Sequence, residues 1–317
     1  MSTATKVPVT SDMSGDELSA DEALQSLRRY GHWPLIRDSF IRFRYADGFS
    51  HSRALALQTV LALIPMAIAF VGLSSAMHTE SIGRMAELTI QQLAAGPSSE
   101  VVDDALNRSR QEAGDGAALA LWFGLIFSLV NVTTAMCQIE RGANRIYGNE
   151  RDRPFHRKYL RGLVMSLSAG LPLGLGFVVM VAGGDLAGAA VTVYHLDGGA
   201  QVAWNVLRWP FGLLLALISA SAVFRRSPRR AQPGYTWLAF GAAVYLVLWT
   251  LLTWLLSLYL QLSGSFDTVY GPLSAFMSLL LWAYLTSIAL FLGLSFAAQL
   301  EASRALAPGP IQADPGV

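Results

Sequence analysis

The chain has 317 residues, of which 53% are apolar and 14% charged, with a formal net charge of +1. Soluble domains carry about 25% charged residues, so this composition excludes an ordinary soluble globular protein. The total charge is uninformative, but its distribution along the chain is not.

Residues 1–33 open with a tract rich in Ser, Thr, Asp and Glu and are expected to form a disordered cytoplasmic tail. From Pro34 the spacing predicts a short amphipathic helix, with Ile36, Phe40 and Phe43 on one face and Arg37 and Arg44 elsewhere. It reads equally as a helix lying on the inner leaflet or as one docked on the membrane bundle. The first long apolar run starts only after Arg53 and outlasts the core of a signal peptide, so no cleaved leader is expected.

A membrane helix needs about 20 residues to cross roughly 30 Å of hydrocarbon. Suitable runs lie at about 54–77, 117–137, 162–184, 204–224, 237–262 and 270–294. The fourth contains Arg208 one turn from its start, beside Trp204 and Trp209, where a long side chain can reach the interface. Backbone polar groups in lipid must be satisfied within the segment, so runs of this length are helices. The expected fold is therefore all-α: a polytopic membrane protein with six transmembrane helices in a domain covering 34–305. Residues 78–116 form an extracytoplasmic helical segment in this reading, and 306–317 a second disordered tail.

Orientation follows from the links. Arg141, Arg145, Arg151, Arg153, Arg157 and Lys158 lie between spans two and three, and Arg225, Arg226, Arg229 and Arg230 between spans four and five. Glu80, Glu87, Glu100, Asp103, Asp104, Glu112 and Asp115 instead crowd the link after span one. Basic links stay on the side of synthesis, so both termini are expected in the cytoplasm.

Small residues four apart predict close helix approach at Gly170 and Gly174, at Gly212 and Ala216, and along Ala289, Gly293 and Ala297. Pro65 and Pro172 predict bends. No Asp, Glu, Lys or Arg sits at the centre of a span, which argues against a simple proton-coupled antiporter. The polar residues at membrane depth are neutral: Gln58 and Thr59; Ser128, Asn131, Thr133 and Thr134; Tyr245, Thr250 and Thr253; Ser278 and Tyr284. They either bond between helices or line a polar cavity.

Catalytic patterns are lacking. The five histidines, His32, His51, His78, His156 and His195, show no metal spacing, and the lone Cys137 reads as small buried filler. There is no GxSxG, P-loop or GxGxxG. No enzyme activity, metal or cofactor is expected.

Three stretches carry a resemblance. The run from Asp47 to Pro65, the segment Ile139 to Gly148 with Gly142, Asn144, Arg145, Ile146 and Tyr147, and Tyr270-Gly-Pro-Leu-Ser-Ala275 resemble the YihY/BrkB family of bacterial membrane proteins, over about residues 35–305. The resemblance implies a cytoplasmic (inner) membrane protein associated with envelope integrity, with transport suspected. It also implies a glutamate near the end of the last span, where this chain has Ser295. The family once carried the label ribonuclease BN, but this sequence lacks the HxHxDH type of motif or the acidic cluster that metal-assisted phosphodiester hydrolysis requires.

The expected function is a transporter or flippase-like protein for an envelope lipid or other amphiphile; the alternative is a non-transporting scaffold for envelope machinery. Gln58, Asn131, Tyr245, Tyr270 and Tyr284 are the expected substrate contacts. Asn144, Arg145 and Tyr147 would shape the inner mouth, with Arg145 toward an anionic head group. The expected partners are membrane lipids. Topology already explains the basic links, so nucleic acid is not expected, and a homo-oligomer is left open.

Overall fold

The computed structural model describes residues 5–10, 19–76, 117–170, 172–173, 175–176, 179, 198–263, 266, 270–305 and 309–313. The described part is helical apart from one two-residue strand pair. In chain order the elements are β1 (Thr5–Lys6), α1 (Ala20–Tyr30), α2 (His32–Tyr45), α3 (Gly48–Ala76), α4 (Ala117–Ile146), α5 (Phe155–Met165), α6 (Gly198–Arg226), α7 (Tyr235–Leu262), α8 (Ser274–Arg304) and β2 (Gln312–Ala313).

Local chemistry sets several boundaries. Ser19 caps α1, its hydroxyl accepting from the Glu22 amide at 3.4 Å. Acidic Asp21 and Glu22 fill the first turn of that helix and Arg28 and Arg29 the last, matching its dipole. Gly31, at φ +81°, makes the break into α2. After α5 the chain widens into a π turn at Ser166–Gly170, just ahead of Pro172.

Among the described residues, four helices are long and apolar enough to cross a membrane: Leu121–Ile146, Val202–Arg226, Tyr235–Leu262 and Phe276–Arg304. Their outward faces are strongly apolar. Phe123 (62% exposed), Ile126 (61%) and Val130 (57%) follow one another along α4, and Val247 (67%) and Trp254 (59%) stand out from α7. A surface of this kind is stable against hydrocarbon and not against water. These four coincide with expected spans two, four, five and six. The 29-residue α3 coincides with the first. The third, 162–184, is described only in part, and the outer segment 78–116 lies outside the described residues.

The helix α8 is the hub, touching α1, α2, α3, α4 and α7, while α3 lies along α4 and α6 lies along α7. Two small-residue contacts let backbones meet. A Cβ on Gly293 would stand 2.6 Å from the Gly241 carbonyl oxygen and 2.7 Å from the Tyr245 Cβ. One on Gly124 would stand 2.6 Å from the Pro65 carbonyl oxygen. The expected close packing at Gly293 and Ala297 is thus a contact with Gly241 and Tyr245 of α7. Pro65 sits inside a continuous α3, on the side where α4 approaches.

Buried apolar side chains form two clusters. The larger gathers Phe43, Ile146, Phe224, Trp237, Phe291 and Leu294 toward the end where α4, α6 and α8 finish, here termed the arginine-rich end. The smaller joins Ala56 and Val60 of α3, Leu256 of α7, and Leu279, Trp282 and Ala283 of α8.

Two expectations are corrected at the termini. Residues 1–33 do not read as a disordered tail where they are described: α1 is a capped helix packed on α8, and Val7 and Thr10 are buried. Within 306–317, Gln312–Ala313 pair antiparallel with Thr5–Lys6. The described parts of the two ends are held by contacts with each other and, through Thr10 and α1, with the helices, which local composition does not encode. The α2 helix is docked, and its buried face differs from the expected one. Leu35, Ser39, Arg42 and Phe43 point inward, whereas Trp33, Ile36 and Phe40 are exposed.

A buried polar network as candidate functional site

Charged side chains that sequence alone assigns to the membrane surface are buried at the arginine-rich end. Arg42, on α2, is fully buried. Its Nε donates to Gln299 Oε1 at 2.9 Å, and its Nη1 donates to Thr10 Oγ1 at 3.0 Å and to the Ile146 carbonyl at 2.9 Å. These acceptors are all neutral. Burial, opposed by Tyr147 and Glu301 and reinforced by Arg230, lowers the Arg42 pKa to about 10.

The compensating carboxylate is Glu301, fully buried near the end of α8. It takes a bidentate pair from Arg230, with Nη2 to Oε1 at 2.5 Å and Nη1 to Oε2 at 3.2 Å. The Arg230 guanidinium also lies 4.6 Å from the centre of the buried Tyr147 ring. Burial, together with Glu301, pushes the Tyr147 phenol well above the ordinary tyrosine range. The Tyr147 carbonyl accepts from the Thr10 amide at 3.1 Å, so the N-terminal segment closes over this group.

A second set ties the α4–α5 link to the α6–α7 link. Glu140 pairs with Arg153 at 2.8 Å, and Arg153 donates to the Ser227 and Pro228 carbonyls at 2.9 and 2.7 Å. Asp152 accepts from Lys158 at 2.8 Å, Asn144 at 2.9 Å and Arg141 at 3.3 Å. Partial burial would raise the Asp152 pKa, but these donors outweigh it and hold the carboxyl below its ordinary range. Asn144, itself buried, accepts the Arg229 amide at 2.7 Å. On α3, His51 Nδ1 lies 3.0 Å from Gln138 Nε2, a neutral ring accepting from an amide.

The eight expected site residues do not converge. Asn144 and Tyr147 belong to this network, while Arg145 between them is exposed. Tyr270 is exposed at the opposite end, its ring 4.8 Å from Phe266. Tyr284 packs on the smaller cluster, and Tyr245 lines a cavity of about 20 Å³, room for one water. Asn131 donates to Phe127 of its own helix at 2.8 Å, and Thr59, Thr134 and Thr250 likewise bond carbonyls four residues back. For these residues the expected bonding between helices is replaced by local bonding. Gln58 differs: its Oε1 is buried with no partner among the described residues, as are Trp282 Nε1 and Thr286 Oγ1 on α8.

Sequence reasoning missed Arg42, Glu140, Asp152, Gln299 and Glu301 as site members. The available signal was the occurrence of single carboxylates within basic helix ends. Among the described residues no group of three or more His, Cys, Asp or Glu could hold a metal.

Several known proteins are similar to this chain in sequence. A Bacillus subtilis protein named ribonuclease-like protein YfkH is 22% identical over 81% of this chain and 92% of its own length. UPF0761 membrane proteins of Xanthomonas axonopodis pv. citri and Xanthomonas oryzae pv. oryzae are 26% and 27% identical over 84% of this chain. The chain spans about 62% and 61% of the length of those two relatives. No solved structure matches. The family model described as Virulence factor BrkB matches residues 39–315, the stretch that runs from α2 to β2 and holds nearly all of the buried network, and the chain belongs to that family.

Proposed function

We propose that the protein is a six-span bacterial inner-membrane protein, with both termini in the cytoplasm, that moves an envelope lipid or other amphiphile in a flippase-like manner and so supports envelope integrity. The observation that carries the reading is the trio of unpartnered buried polar atoms on α3 and α8. Gln58 Oε1, Trp282 Nε1 and Thr286 Oγ1 lie in helices that pack together around the smaller cluster. A buried polar atom left without a partner in an apolar bundle costs about 1–3 kcal/mol, a cost that water or a polar head group in passage would relieve. Tyr284 lies on α8 and Tyr245 on the neighbouring α7, and in this reading the closed arginine-rich end corresponds to one shut gate of an alternating cycle. Asn131, Tyr270, Asn144, Arg145 and Tyr147 stay in the proposal as contacts along the path and at its inner mouth.

A scaffold is the second reading, favoured by the dense ion pairing that locks the arginine-rich end. A ribonuclease, as in the name of the Bacillus relative, is disfavoured because Glu140, Asp152 and Glu301 are each engaged by cationic side chains.

The test reconstitutes the full chain in vesicles and follows fluorescent lipid analogues between leaflets. Passage above that in empty vesicles, slowed by Gln58→Leu, supports transport. If wild-type vesicles match empty ones for every analogue while crosslinking in cells captures a stoichiometric envelope partner, the scaffold reading replaces it. Reporter fusions after Glu112 and after Arg226 should report opposite compartments.

A further inference from the structure

Beside the buried network, α5 and the end of α6 enclose an open cleft of about 650 Å³ whose walls include Arg153, Arg157, Arg161, Arg226 and Arg229. Their neutralisation is incomplete. Arg161 donates to the Arg226 carbonyl at 3.0 Å, Arg226 to Ser168 Oγ at 2.7 Å and Arg229 to the Asp152 carbonyl at 3.0 Å. Arg153, by contrast, is paired with a carboxylate, that of Glu140. The Asp152 carboxylate is taken up by Lys158, Asn144 and Arg141. Burial, and then the proximity of Arg153, depress the Arg161 pKa. Several guanidinia held in place by neutral acceptors thus share a hollow with little negative charge, an arrangement that an anion stabilises.

The cleft is also half apolar. Leu160 and Val164, one turn apart on α5, line it and remain 64% and 52% exposed. They stand where α5 runs into the expected third span, level with the end of the α6 membrane helix at Arg226. A soluble anion has no use for that wall, whereas the first methylenes of an acyl chain would cover it. We propose that this cleft binds the phosphate of an anionic membrane phospholipid, with guanidinium forks on the phosphate oxygens and the acyl chain along Leu160 and Val164. The site rests on the reading that the arginine-rich end faces the inner leaflet. It needs no transport, and a scaffold would bind the same lipid.

Native mass spectrometry of the full chain in detergent reads the binding directly, using dioleoyl phosphatidylglycerol and dioleoyl phosphatidylcholine as probes. The expected result is retention of phosphatidylglycerol over phosphatidylcholine. Arg157→Gln with Arg161→Gln should weaken that retention roughly twenty-fivefold, at about fivefold per cation near a lipid surface. Arg44→Gln, an exposed basic position outside the cleft, should leave it unchanged. If the double variant unfolds, Arg157→Gln alone, at an exposed side chain, should still give roughly fivefold. Equal retention of both lipids, or equal loss in the Arg44 control, overturns the proposal. Displacement of the lipid by inorganic phosphate at equal concentration would assign the site to free phosphate, and displacement by an oligoribonucleotide would assign it to nucleic acid; either result overturns the lipid reading. Leaflet transfer is not measured, so failure here and failure of the transport reading are separate results.

Discussion

Replacing Glu301 with Gln tests the central electrostatic claim. Glu301 is the carboxylate against which two buried guanidinia sit. Arg230 pairs with it directly, and Arg42 feels its charge while bonding only neutral acceptors. With the carboxylate gone, two cations share a site sealed by Tyr147, Thr10 and Gln299 with that anion removed. Breaking a buried pair at one partner costs about 3–5 kcal/mol, which raises the unfolded fraction roughly a hundredfold to several thousandfold. Arg230→Met in the same background removes one stranded cation and fills its space with methylenes, so the double variant should recover much of the loss. Reversible unfolding of the full chain in mixed micelles gives the four stabilities of the cycle. A coupling of about 2–3 kcal/mol is expected. If the two single effects add to within about 0.5 kcal/mol, the pair is not the neutralising element and the account of this site fails.

Further outcomes follow from other contacts. Gly293→Val should destabilise by more than about 2 kcal/mol, because the new atoms meet the backbone oxygen of Gly241 and the Cβ of Tyr245; a neutral effect in the same unfolding assay would mean that α7 and α8 do not touch there. Thr10→Val removes a hydrogen bond to a buried guanidinium whose Nη2 is already unpartnered, and should cost about 1.5–3 kcal/mol, whereas Ser50→Ala at an exposed bond should cost little. Burial holds the His51 pKa below its ordinary value despite Asp47, so the unfolded chain takes up the proton more readily than the folded one. The stability tied to the neutral ring is therefore complete above about pH 6.5 and is lost as the pH falls below it. Unfolding measured from pH 7 to pH 5 should show a slope in the wild type that His51→Gln flattens; an unchanged slope would place the titration elsewhere.

The membrane helices were legible from composition because a run of some twenty uncharged apolar residues has one stable surrounding. The starts of α4 and α8 and both ends of α7 fall close to the sequence boundaries for that reason, whereas α4 and α8 run on past positions 137 and 294 to Ile146 and Arg304, where charged residues continue the helix beyond the apolar run. The close approach at Gly293 was equally legible, since small residues one turn apart have a single obvious use. Among the candidate residues, Asn144 and Tyr147 fall within the buried network, but their contacts with Asp152 and Arg230 were not foreseen. Arg42 and Arg153 illustrate why: in a list of residues near span ends they are indistinguishable from the surface cations that set topology.

Sequence by itself therefore determined the solvent of this protein and the lengths of its apolar segments, because transfer of a side chain into lipid depends on that side chain and its near neighbours. Only the tertiary structure decided which arginines face outward and which are sealed inside. Arg42 meets Gln299 across 257 positions and Arg230 meets Glu301 across 71, and the energy of such a pair depends on separation in space and on local exclusion of water. The same holds for the chain ends, where Thr5–Lys6 and Gln312–Ala313 become neighbours only after the helices between them have packed.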